Sequence, residues 1–162
     1  MKTINEIKLR AVIRKWIILF IVFLILSGVT AFPVEAELSF LMNHSFYLPE
    51  LMKNWLTEIY NAVKETNFNH PYLSYGTDWL AYAHIVIATA FIGPLRDPVK
   101  NIWVIQFGMI ACVMVFPLAL IGGPIGHIPF FWQMIDCSFG IVGIIPLYIC
   151  HKKIKILEVS NK

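Results

Sequence analysis

The sequence predicts an all-α integral membrane protein: four transmembrane helices in an antiparallel bundle, with an outer-face amphipathic helix between the first and the second. Three observations predict it. Hydrophobic residues make up 58% of the chain and charged residues only 14%, against about a quarter charged in an ordinary soluble domain. Mean hydropathy is +0.69. The apolar residues gather into four runs, about 16–34, 79–95, 102–122 and 130–150, each close to the roughly 17–25 helical residues that cross a hydrocarbon core. No repeat, low-complexity tract or composition shift marks a second domain, so residues 1–162 read as a single membrane domain.

The first run follows a basic stretch holding Lys2, Lys8, Arg10, Arg14 and Lys15. Residues 1–36 also carry the parts of a secretory signal peptide: a basic start, an apolar centre, and Val34-Glu35-Ala36 as a small-x-small cleavage triplet. The apolar run is longer than the usual signal core, and Phe32-Pro33 sits beside the proposed cut, which favours an uncleaved first span. Residues 35–78 form the polar segment that follows. Within it Leu51, Met52, Trp55, Leu56, Ile59, Tyr60 and Val63 fall at helical spacing, with Glu50, Lys53, Asn54, Glu58, Asn61, Lys64 and Glu65 opposite them. This predicts an amphipathic helix of about 16 residues with Pro49 in its first turn. Its mixed charge fits a packed lid better than a lipid-binding surface.

The second and third runs are joined by GPLRDPVKN, where Asp97 and Pro98 read as an N-cap and first helical residue. GGPIGHIP, residues 122–129, reads as a tight turn, loosened by Gly122, Gly123 and Gly126 and kept from helix by Pro124 and Pro129. Gln106, near the inner end of the third run, is expected at the interface or bonded across helices. Cys112, Cys137 and Cys150 lie in or beside apolar runs without a CxxC pair and read as reduced packing residues.

Orientation follows from the basic residues. Besides the five before the first run, Arg96 and Lys100 lie between the second and third, and Lys152, Lys153, Lys155 and Lys162 follow the fourth; only Lys53 and Lys64 lie in the polar segment. The positive-inside rule then places both termini in the cytoplasm and residues 35–78 outside. Trp16 and Trp103 fall at inner ends, Trp79 and Trp132 at outer ends, as an indole with one polar edge prefers. The expected location is a plasma membrane of the bacterial inner-membrane kind. The formal net charge is +3, but the basic residues sit in blocks at span ends and form no patch, so nucleic-acid binding is not expected. The expected partners are the lipid bilayer and other membrane subunits or further copies of the chain.

Two strongly ionisable residues lie well inside the runs, His84 and Asp136. Counted from the outer ends at 1.5 Å per residue, both are roughly 6–9 Å deep. Asp136 shares a helical stripe with Gly140 and Gly143, and His84 with Ala81 and Ala88; small residues mark the side of a membrane helix that meets other helices. A carboxylate in the hydrocarbon centre costs about 2.5–3.5 kcal/mol, and an imidazolium beside it would lower that cost. Asp136 and His84 therefore define a candidate outer-face pocket, joined by His127, Tyr82 and Trp132. The functional reading is a proton-handling or ligand-binding site; the plain one is a helix-to-helix hydrogen bond.

Four of the five histidines, His44, His70, His84 and His127, are biased to the outer face, yet no HxH or HxxxH pairs them, so no metal site is assigned. Two facing span histidines for haem are also lacking, and no cofactor is named. No GxGxxG, P-loop, HExxH, GxSxG or CxxC is present. Three functions follow, in this order: an accessory or structural subunit of a membrane complex, a small ligand-binding or proton-coupled protein, and a membrane enzyme acting on a lipid or quinone. No catalytic residue is assigned.

Overall fold

The computed structural model describes residues 4–160; Lys2 and Lys162, counted above for orientation, lie outside the described residues. Among the described residues the fold is helical without strands. Four helical stretches are long and apolar enough to cross a membrane: Asn5–Thr30, Pro71–Arg96, Ile102–Ile125 and Phe130–Ser160. In chain order the α-helices are α1 (Ile4–Thr30), α2 (Val34–Asn43), α3 (Glu50–Asn69), α4 (Ser74–Ala90), α5 (Ile92–Arg96), α6 (Ile102–Pro117), α7 (Gly123–Ile125) and α8 (Phe130–Ser160). They gather into two compact units, one of residues up to Phe23 together with those from Ala88 on, the other Leu24–Ile87.

The helices overrun the expected spans at charged ends and stop short at prolines. α1 begins twelve residues before the predicted start at residue 16 because Lys and Arg end a membrane span without ending a helix. It stops at Thr30, before Pro33, which has no N–H to donate and disfavours helix at Phe32. The polar segment holds an unforeseen helix, α2. Val34-Glu35-Ala36 forms its first turn. α3 runs 20 residues, with Pro49 just outside it in extended conformation, φ −57° and ψ 147°, instead of in its first turn.

Between α5 and α6 the expected cap is replaced. α6 starts at Ile102 after Asn101, and Asp97 instead ends α5. Its carboxylate accepts the Lys100 N–H at 3.2 Å. The Asn101 amide donates to the carbonyls of Asp97 at 2.9 Å and Gly93 at 3.2 Å, adding to the backbone N–H that each already accepts. The GGPIGHIP turn is also shorter than expected. After Pro117 the helix widens into a π turn, Leu118–Gly122, and Gly123–Ile125 is helical because Pro124 sits in a first turn, where its missing N–H costs nothing.

In the first unit α6 and α8 pack along most of their length. Gln106 meets His151, Gly108 meets Leu147, and Cys112 meets Gly143 and Gly140, so they run in opposite directions. α8 continues ten residues past the predicted end at 150, because Cys150, Ile154 and Leu157 prolong one buried stripe while Lys152 and Lys155 stay exposed. The start of α1 lies against the same helix: the Cys150 thiol points at the Ile13 carbonyl, 3.7 Å away, and Gly143 faces the Phe20 ring. Phe20 packs on Phe91 with ring centroids 4.8 Å apart. All three cysteines are unpaired and buried.

In the second unit α2 packs on α3. Leu38 and Leu56 are buried, and the predicted polar side of α3 is exposed apart from half-buried Lys53. Leu51, assigned to the apolar side, is exposed too, because it lies in the first turn before the contact begins. Gly28 of α1 lets the α4 backbone approach closely; a Cβ there would lie 2.6 Å from the Ala81 carbonyl oxygen.

These contacts predict opposite responses at two glycines. A Cβ at Gly140 would lie 2.6 Å from the Cys112 carbonyl oxygen, whereas one at Gly76 meets nothing within 4 Å. Thermal unfolding in detergent should show Gly140→Ala destabilised by about 1–3 kcal/mol. Gly76→Ala should gain up to about 1 kcal/mol from helix propensity.

Candidate functional site

The five residues of the expected pocket divide between the two units: Tyr82 and His84 belong to one, His127, Trp132 and Asp136 to the other. Each group is described within its own unit.

His127 stands in a helix-ending turn whose geometry explains it. The Ile128 N–H donates to the Gly123 carbonyl at 2.9 Å and the His127 N–H to the Pro124 carbonyl at 3.1 Å. This six-to-one and five-to-two pair is the Schellman arrangement, and it puts His127 at the position glycine normally fills. His127 has φ 56°, the only described non-glycine residue with positive φ. The neighbouring Gln133, buried, donates its amide to the Ile128 carbonyl at 2.8 Å and packs over Gly123, so the turn is tied to the start of α8.

Trp132 and Asp136 lie one helical turn apart on α8, with Gly140 a further turn on. Gly140 faces the α6 backbone at Cys112. Asp136 is half-buried. Within its unit its carboxylate has no hydrogen bond or ion pair.

His84 lies on the side of α4 that carries buried Ala81 and Ala88. Its Cβ is beside the space left by Gly28. Nδ1 is 2.9 Å from the Leu80 carbonyl. A carbonyl only accepts, so Nδ1 carries a proton in this bond, which leaves Nε2 as the ring nitrogen without a hydrogen bond. Tyr82, two residues earlier, projects from the opposite side of the helix and is exposed. His44 and His70 are committed elsewhere, to the Phe40 carbonyl at 2.8 Å and the Tyr72 hydroxyl at 3.2 Å. Among the described residues no three His, Cys, Asp or Glu side chains gather as a metal would require.

A second arrangement, which sequence reasoning missed, lies entirely within Leu24–Ile87. The Ser74 hydroxyl donates to Asn67 Oδ1 at 2.8 Å, sharing its proton with the Pro71 carbonyl at 2.9 Å, and Asn67 Nδ2 donates to Glu35 Oε2 at 2.8 Å. These bonds join the starts of α4 and α2 to the end of α3. They border a groove of about 710 Å³ walled by apolar side chains including Phe32, Val63 and Leu73. Glu35 and Asn67 are 32 residues apart and share no periodic pattern. The one signal in the sequence was the placement of Glu35 and Ser74, polar residues at the ends of two apolar runs.

The left-handed backbone at His127 yields a test. Non-glycine residues pay about 1–2 kcal/mol for this conformation. His127→Gly should therefore raise the unfolding midpoint in detergent by about 1 kcal/mol in stability, while His127→Val should lower it. No protein-family model, curated protein or solved structure matches the chain.

Proposed function

We propose that the chain is a four-span integral membrane protein, both termini cytoplasmic and residues 35–78 outside, that serves as an accessory or structural subunit of a membrane assembly. One observation carries this reading: only 22%, 22%, 22% and 28% of the apolar windows of the four long helices are buried. The rest presents large side chains outward, such as Phe23 and Leu26 on α1, Val113 and Met114 on α6, and Phe139 and Val142 on α8. Such surface needs lipid or apolar protein around it. The basic residues at the inner ends support the orientation.

Asp136 supports the subunit role. A half-buried carboxylate inside an apolar helix, without a donor in its own unit, is stabilised when another helix brings one. A second reading, a proton-coupled or ligand-binding protein, is favoured by that same carboxylate and by the free Nε2 of His84, since both are groups that exchange protons.

Two experiments test these readings. In intact cells an impermeant maleimide should label Thr57→Cys and Gly126→Cys, and should reach Lys100→Cys only after permeabilisation. Labelling of Lys100→Cys from outside would overturn the orientation. For the role, the protein extracted in native nanodiscs should carry a stoichiometric membrane partner, and Asp136→Asn should weaken that association by about tenfold. A solitary monomer whose Asp136→Asn and His84→Gln variants lose a pH-dependent signal, with effects that fail to add, would decide for the second reading.

A further inference from the structure

We propose that the groove between the start of α2, the end of α3 and the start of α4 binds an amphiphile headed by a protonated primary amine. The site lies wholly within Leu24–Ile87. Its volume, about 710 Å³, is in the range that holds a small ligand or a lipid headgroup. Glu35 is the one charged side chain lining it, and the adjoining cleft that shares Glu35 and Asn67 adds one cation, Lys64, and one further carboxylate, Glu65, so the balance stays negative. An ammonium is attracted, and an anionic headgroup that carries no ammonium is repelled.

The hydrogen bonds narrow the ligand further. Ser74 donates to Asn67 Oδ1, so the amide of Asn67 must turn its NH₂ to Glu35. That bond takes Glu35 Oε2 and orients the carboxylate. Oε1 is left to accept from an incoming N–H or O–H donor, and the negative charge favours the N–H of a cation over a neutral hydroxyl. A primary ammonium qualifies and a quaternary one does not. Phe32, Ala36, Val63 and Leu73 supply apolar wall beside this charge, which favours a molecule with a hydrocarbon portion next to its amine. Phe32 follows the end of one long apolar helix, and Leu73 stands at the start of another, so a hydrocarbon tail leaving the groove continues along apolar surface. The placement of the tail rests on the membrane reading above; recognition of the amine does not.

Two sources share this chemistry, an ethanolamine phospholipid and a soluble alkylamine. The full chain is reconstituted in phosphatidylcholine nanodiscs, and bound molecules are counted by native mass spectrometry with phosphatidylethanolamine, phosphatidylglycerol or n-octylamine added. Retention of phosphatidylethanolamine at least about tenfold above the other two lipids is expected, and Glu35→Gln, which keeps the shape and the Asn67 contact, should remove that preference. Saturation by n-octylamine without lipid preference, equally lost in Glu35→Gln, supports the same site with the soluble amine as its occupant. Ala36→Trp fills the groove with Glu35 in place and should abolish binding while circular dichroism stays helical. Equal retention of all three lipids with no binding of n-octylamine, or amine binding unchanged in Glu35→Gln and Ala36→Trp, would overturn the proposal. Maleimide labelling at Thr57→Cys reports on the membrane reading separately, so failure of one is not mistaken for failure of the other.

Discussion

Every residue in the four long apolar helices carries a backbone C=O, and every one but proline an N–H, that an apolar surrounding cannot satisfy, and the rest of the structure depends on closing those groups within the helices. The interruptions show how strict this is. α1 stops ahead of Pro33, where Thr30 bonds back to the Leu26 carbonyl at 2.9 Å. The helix ends again beyond α5, where the Gly93 and Asp97 carbonyls each accept a backbone N–H and a second bond from the Asn101 amide. At the end of α7 a left-handed His127 permits two reversed bonds, and Gln133 takes the Ile128 carbonyl. At each of these breaks local chemistry supplies hydrogen bonds to backbone carbonyls.

With the backbone closed, small residues set how near the helices come. Gly108, Gly140 and Gly143 let α6 and α8 approach, with Cys112 filling the space between them. Gly28 and Ala81 do the same for α1 and α4. Close approach gains dispersion contacts that larger side chains would block, and this matters most where surrounding lipid leaves little hydrophobic drive between helices. The polar groups then fall into two kinds. Gln133, Asn101, Asn67 and Ser74 are committed to bonds that hold turns and helix ends. Asp136, Nε2 of His84 and Oε1 of Glu35 retain capacity, and the functional proposals rest on them for that reason.

The two candidate sites differ in how far they could be read before the structure. Asp136 and His84 stood out because an ionisable residue in an apolar run is an anomaly visible in one dimension, and their small neighbours one turn away marked packed faces. Tyr82 projects from the side of α4 opposite His84, since residues i and i+2 on a helix are about 200° apart. Glu35 carried no such anomaly. It looked like one residue of a cleavage triplet, and Asn67 belonged to no pattern.

Taken alone, the amino-acid order determined that the chain is helical, that four stretches are apolar enough to span a membrane, and that an amphipathic helix follows the first. These are properties of composition and of a 3.6-residue period, which neighbouring residues decide among themselves. The tertiary structure decided where helices end and which polar groups meet. α8 runs past its charged boundary because Ile154 and Leu157 are buried by packing, and α7 extends a turn predicted to be loop because Pro124 found a first-turn position. The Ser74–Asn67–Glu35 chain exists only because α2 folds back on α3 and brings residues 32 apart within 2.8 Å. A hydrogen bond depends on distance in space, and separation along the chain carries no information about it until the helices are packed.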